Sequence, residues 1–209
     1  MLNVAFLMSA AVVLQVPSTG FVNPVNLPDD TISYEELRYY ALYDCHNNEN
    51  PDDALVGALI EIEKTFNPPP EMRGMLLAAA CMESGFNPNA KGDRSFSKDK
   101  KTPMAIGLLQ QWSFYEKFYG INRTDPFGAA TSWMRHIVRQ IPKVKKLCKY
   151  KTKKRIWLAA WVTGIRSKKI GGRCNETPKH YKLLKRWHKS IKEDRELMEE
   201  CEPKDGCGC

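Results

Sequence analysis

The sequence predicts a mostly α-helical protein, and three observations predict it. Ser33 to Glu36 has the spacing of a capping box, Asp52-Asp53 opens a stretch with apolar residues at helical intervals, and Leu76 to Met82 is an almost unbroken apolar run. With 209 residues and 43% hydrophobic content, the chain can bury one real core and still carry extensions.

The expected elements follow in chain order. Val4 to Val16 is apolar for 13 residues, too short for a comfortable membrane span and suited to the core of a signal peptide. The first Lys or Arg is Arg38, so a basic n-region is missing, and Pro17-Ser18-Thr19-Gly20 gives no clean Ala-x-Ala site. An uncleaved anchor or a buried N-terminal segment is the alternative. Residues 1–20 are thus expected as a leader and 21–50 as a linker with one helix, from about Tyr34 to Asp44. A main domain is expected over 51–190 and a charged, Cys-containing tail over 191–209.

Within the main domain, Leu55, Leu59, Ile62 and Phe66 mark one face of a helix that Asn67-Pro68-Pro69-Pro70 ends. Pro70 and Glu71 suit the first turn of the next helix. That next helix is apolar on nearly every face, which predicts burial, and Ser84-Gly85 followed by Pro88 stops it. Glu83 would then stand at the lip of a cavity among apolar neighbours. Such surroundings raise a carboxyl pKa by desolvation and keep a proton available for general acid work. A helix-terminal Glu that points to solvent is the bland alternative.

Lys91 to Pro103 reads as a charged loop, either a cleft wall or an exposed insertion, with room for a small hairpin near 91–104. Ala105 to Gln110 follows as a turn, with Gly107 where backbone must approach something closely and with Gln110 able to donate and accept. Trp112 suits either a sugar face or the core. Asp125-Pro126 opens a helix with Trp133, Ile137, Val138 and Ile141 on one face. Ile156 to Ile165 reads as a buried helix ending at Gly164, and His180 to Lys192 as a basic helix.

The formal net charge is +8, and Lys143 to Arg155 alone holds eight basic residues among thirteen. A surface of that kind favours polyanions: nucleic acid, anionic wall polymers or acidic lipid head groups. Seven cysteines allow disulfides in an exported protein, and the odd count leaves at least one free or intermolecular. Cys81, inside the apolar helix, is expected as a free core thiol. Cys201, Cys207 and Cys209 read as a terminal staple or a redox-labile tail rather than half a metal site. The sequence holds no internal repeat, no phosphate-cradling Gly loop and no His-Glu-x-x-His.

Two motifs carry a resemblance. Glu83-Ser84-Gly85-Phe86-Asn87-Pro88-Asn89-Ala90 and then Ala105-Ile106-Gly107-Leu108-Leu109-Gln110 resemble the Glu-Ser-x-Phe-x-Pro-x-Ala and Ala-x-Gly-Leu-x-Gln motifs of the SLT-type lytic transglycosylases, peptidoglycan-cutting enzymes with a lysozyme-like fold. Ala159 to Gly164 stands where the family has Ala-x-Tyr-Asn-x-Gly, and Glu176-Thr177 with Tyr181 resembles its closing Glu-Thr and Tyr. The likeness runs from about Pro51 to Lys189. It implies a single lysozyme-like domain with a substrate cleft between helical lobes.

It also implies cleavage of the β-1,4 bond between N-acetylmuramic acid and N-acetylglucosamine with a 1,6-anhydro product, Glu83 serving as acid and then base. By the same likeness Ser84, Gln110, Trp112, Trp161, Glu176 and Tyr181 line the substrate, with Asp93 as a secondary candidate in a phage-like Gly92-Asp93. The likeness implies no cofactor and no metal. It implies peptidoglycan strands as the partner, anionic wall polymers held on the basic face, no nucleic acid, and a secreted, periplasmic or phage-associated setting.

The chain departs from the family at Trp161 and Val162, where relatives have Tyr and Asn. An indole N–H donates but cannot accept. Two alternatives stay open. One is a hydrolytic muramidase on the same fold, with Asp93 or Glu176 placing a water; the other is a non-catalytic wall- or nucleic-acid-binding protein that keeps the fold.

Overall fold

A computed structural model describes residues 31–45, 51–120, 122–148 and 179–200. The chain divides into two units, Met1–Thr31 and Ile32–Cys209, and only the second is described below. The expected leader, the helix over 156–165, Trp161, Glu176 and the cysteine tail lie outside the described residues, as does the second half of the basic run.

Six α-helices and a small sheet make up the described part: α1 (Tyr34–Tyr43), α2 (Asp53–Thr65), α3 (Met75–Ser84), α4 (Ser113–Tyr119), α5 (Pro126–Cys148) and α6 (Lys179–Glu200). Local signals start several of them. The Ser33 hydroxyl accepts from the Glu36 N–H while the Glu36 carboxylate takes the Ser33 N–H at 2.7 Å, so α1 begins on the expected capping box. Asp52 caps α2 by accepting from Ala54, and Asp125 caps α5 by accepting from Phe127 and Gly128, with Pro126 as first helical residue. α5 continues through Pro142, which donates no N–H and frees the carbonyl of Val138. Val138 was expected on the apolar face; it lies exposed at its edge, while Trp133 and Ile137 are buried.

α3 is the core helix. Met75 to Ala80 are fully buried, and α1, α2 and α6 all pack against it, with α5 outside α2. Ala and Leu form helix readily, and a helix apolar all round has no face to give to water. Truncating Leu76 or Leu77 to Ala would cost roughly 2–5 kcal/mol in lost transfer energy and cavity.

The start of α3 departs from expectation. Pro70 to Met72 form a separate 3-10 turn, and the helix begins only after Gly74, whose φ of 87° is left-handed. A residue beyond the expected entry therefore sets the helix: Glu63, fully buried on α2, accepts from the N–H groups of Gly74 at 2.5 Å and Leu76 at 2.7 Å. It supplies the cap that no residue next to α3 provides. The Arg73 guanidinium stacks over Tyr34, and its Nη1 donates to the Ile32 carbonyl, holding the same turn from α1.

Cys81 is not a free thiol. It forms a disulfide with Cys45, 36 residues earlier, at a Cα–Cα distance of 5.7 Å. The packing of α1 on α3 brings the chain end after α1 to the last turn of α3, a proximity that cysteine spacing does not encode. The last helix is longer than expected: α6 runs past residue 190 to Glu200, with Ile191 buried in the core and Arg195 making two 2.6 Å bonds to Glu36 of α1.

Candidate active site

The site forms where α3 ends. Gly85 and Phe86 both adopt left-handed backbone, φ 61° and 63°, and the Phe86 N–H reaches the Ala80 carbonyl while its ring is buried. Left-handed φ is uncommon for an aromatic residue and persists where packing enforces it. The turn leaves Glu83 on the last turn of the helix with its side chain 25% exposed, at the boundary between core and solvent.

Glu83 Oε1 lies 2.6 Å from His180 Nε2, and the His180 side chain is only 2% exposed. That length belongs to the short, charge-assisted class of hydrogen bond. In such a pair one proton serves two basic atoms: Nε2–H donates to a carboxylate, or a carboxyl O–H donates to Nε2. Either way the bond fixes which way the carboxyl group points.

His180 was not among the expected site residues. Tyr181, expected to line the substrate, is buried in the core with Lys185 over its ring. A rotation of one residue on a helix is about 100°, which separates the two side chains. A signal for His180 did exist. His180, Leu184, Trp187 and Ile191 share one buried face, so the imidazole had to enter the interior of the fold.

The second motif meets the first through Ser84. Its hydroxyl donates to the Leu108 carbonyl at 2.7 Å, tying the end of α3 to the turn over 107–110, and so acts on backbone rather than on open space. The turn belongs to a three-stranded antiparallel sheet, β1 (Lys91–Gly92), β2 (Ala105–Ile106) and β3 (Gln111–Trp112), paired in that order. A small hairpin in this region was expected. Gly107, φ 81°, has the Arg123 carbonyl so close that a Cβ would sit 1.9 Å from it. The close approach expected at Gly107 is therefore to backbone of this chain.

Gln110 is turned inward. Its Nε2 donates to the Gly107 carbonyl at 3.0 Å, and its Oε1 lies over Gly92, where a Cβ would come within 2.3 Å of it. The amide is engaged in holding the turn, with the missing Cβ of Gly92 making the room. Trp112 is partly exposed, neither core nor free: its Nε1 donates to Asp93 Oδ2 at 2.8 Å, and its ring lies against Phe96 with centroids 5.7 Å apart. Asp93 and Trp112, two of the expected residues, thus meet each other. Phe96, which the sequence did not single out, is 67% exposed beside them. An aromatic residue inside the charged stretch 91–103 was the available signal.

The loop between β1 and β2 is ordered by Asp99, whose oxygens accept from Ser97, Lys101 and Thr102. Those donors hold its carboxyl well below the usual carboxylate range. Away from this edge, burial pushes the Glu63 carboxyl up to about 7, against the pull of its two backbone N–H donors. Among the described residues no group of His, Cys, Asp and Glu could hold a metal ion, and no helix is long and apolar enough to cross a membrane. Comparison of the chain with known protein families, with curated proteins and with solved structures finds no match.

Proposed function

We propose that this protein is a peptidoglycan-cleaving lytic transglycosylase with Glu83 as its acid and base, in a lysozyme-like domain. The observation that carries the proposal is the bond from Ser84 to the Leu108 carbonyl. Through it the two motifs behind the resemblance, 24 residues apart, become one edge beside a half-buried carboxyl. Glu83 protonates the glycosidic oxygen, the substrate's own N-acetyl oxygen stabilises the developing positive charge, and Glu83 then takes the proton of the C6 hydroxyl that closes the anhydro ring. His180 holds Oε1, so Oε2 is the oxygen that serves the substrate. Trp112 and Phe96 offer flat apolar faces of the kind that pack on sugar rings.

Two features support an envelope setting: the Cys45–Cys81 disulfide, a bond that persists in oxidising compartments, and the 13-residue apolar run from Val4 to Val16, of a length that suits a signal-peptide core. Of the two carboxylates that the hydrolytic alternative offers to place a water, Asp93 has Oδ2 engaged by the Trp112 indole, and Glu176 lies outside the described residues. Mass spectrometry of the products from purified sacculi tests the proposal. Anhydro-muropeptides, lighter than hydrolytic ones by one water, are the expected result; reducing-end products would make it a muramidase, and intact sacculi would end the enzyme reading.

A further inference from the structure

Residues 91–102, which run from β1 toward β2, turn almost no surface inward: only Gly92 and Ser97 are not exposed. The segment is nonetheless ordered from within. Arg94 Nη1 donates to the Lys101 carbonyl at 2.7 Å, and Asp99 holds Ser97, Lys101 and Thr102 by bonds of 2.6–2.9 Å. Lys100, inside that turn, keeps a left-handed φ of 53°, a conformation that persists in such a residue where its neighbours enforce it. The result is a rigid, convex projection from the sheet.

The projection is strongly cationic. Lys91, Arg94, Lys98, Lys100 and Lys101 are exposed, against two carboxylates, Asp93 and Asp99. Asp93 Oδ2 takes the Trp112 indole N–H, and both oxygens of Asp99 take donors of the turn. None of the five cations makes an ion pair among the described residues. Between Arg94 and Lys98 stands Phe96, 67% exposed, with part of its ring against Trp112 and the rest in water.

A bare ring among cations on a convex surface matches the polar–apolar boundary of an anionic bilayer. There an aromatic ring packs at headgroup depth while Lys and Arg meet the lipid phosphates, and each such cation adds to the attraction. A nucleic-acid strand asks for something else, a groove of cations with several faces on which bases stack. Because the turn is held before contact, docking orders little of the chain. We infer that residues 91–102 dock on a bilayer surface rich in anionic phospholipid, with Phe96 entering the interface and the five cations facing the headgroups. The inference stands apart from the proposed reaction and leaves the Trp112 ring for a sugar.

Co-sedimentation of the full chain with lipid vesicles tests it without any turnover. The probes are vesicles of phosphatidylcholine with roughly 30% phosphatidylglycerol, vesicles of phosphatidylcholine alone, and a thymidine oligonucleotide. The mixed vesicles should bind the protein, and those without the anionic lipid should bind it at least tenfold more weakly, roughly, with the difference shrinking as salt is raised. Affinity for the mixed vesicles should fall about tenfold or more in Phe96→Ser and in Lys98→Glu/Lys101→Glu. Lys182→Glu/Lys185→Glu makes the same change of net charge on α6 and should lose much less; melting curves check that all three fold. Phe96→Trp reads the contact directly, through a blue-shifted emission on mixed vesicles that brominated lipid quenches. No binding to mixed vesicles, an equal loss in the α6 variant, or Phe96→Trp emission unmoved by lipid overturns the docking. Tighter binding of the oligonucleotide than of the mixed vesicles overturns it in favour of a nucleic-acid surface. Vesicle binding that follows the loop variants supports the docking even in a protein that never cuts sacculi, and cutting without vesicle binding discards the docking alone.

Discussion

Glu83 Oε1 and His180 Nε2 stand 2.6 Å apart although 97 residues separate them in the chain. The bond fixes, from the interior, the direction of a carboxyl group at the end of a buried helix.

Glu83→Gln should therefore lower the lytic rate on purified sacculi by about 10²–10⁴-fold, the usual contribution of a positioned acid, while the melting curve stays cooperative. A turbidity assay measures it. Lysis at the parent rate would remove Glu83 from the chemistry.

In the proposed reaction His180 acts through Glu83. His180→Ala should reduce kcat roughly 10–100-fold with KM little changed, because a carboxyl free to rotate meets the glycosidic oxygen less often. His180→Gln, which keeps an N–H donor, should recover part of that loss. Steady-state kinetics on a soluble glycan fragment decide it: a rise in KM alone, or no recovery with Gln, would assign His180 to the core and nothing more.

The Glu63 carboxyl gives a pH signature to stability. Burial raises it to about 7 in the folded protein, above its ordinary value of 4.5, so the folded state binds the proton more tightly than the unfolded chain. The contribution is complete below pH 4.5 and is lost as pH rises through 7, amounting to about 3 kcal/mol. Glu63→Gln should flatten that slope. It should also be less stable at acid pH by about 1–3 kcal/mol, since an amide NH₂ cannot accept from one of the two backbone N–H groups. Urea midpoints between pH 4 and 8 are the measurement, and parallel curves for the two proteins would contradict the assignment.

The disulfide closes a loop of 36 residues between the end of α1 and the last turn of α3. In the chain-entropy account a loop of that size contributes about 4 kcal/mol. Cys45→Ser/Cys81→Ser, or reduction of the parent, should lower stability by up to that amount and loosen the turn bearing Glu83, so that lytic activity fails at a lower temperature than in the oxidised protein. Identical denaturation curves with and without reductant would show that the bond is not formed.

Gly107→Ala should be severe. The added Cβ meets the Arg123 carbonyl at 1.9 Å, and the backbone at φ 81° disfavours any L side chain, together worth about 3 kcal/mol or more. Thermal melting checks it. A variant that melts with the parent would mean that the turn over 107–110 is not packed on Arg123.

What the sequence determined by itself is what neighbours within a few residues decide. The capping box at Ser33, the Asp52 and Asp125 caps, the apolar run of α3 and its Gly85 stop are local, and each sets the same backbone in any context that buries an apolar face. The start of α3 was illegible because its cap comes from Glu63, on another helix, and the Cys45–Cys81 bond because it depends on how α1 lies on α3. The candidate site divides the same way. Glu83 and the turn over 107–110 were legible as motifs, whereas His180 as the partner of Glu83, the burial of Tyr181 away from any substrate and the inward turn of Gln110 were not. Which face of α6 meets α3 is set by the burial of Leu184, Trp187 and Ile191 together. That choice of rotation, made by the whole core, is what brings an imidazole to the carboxyl at position 83.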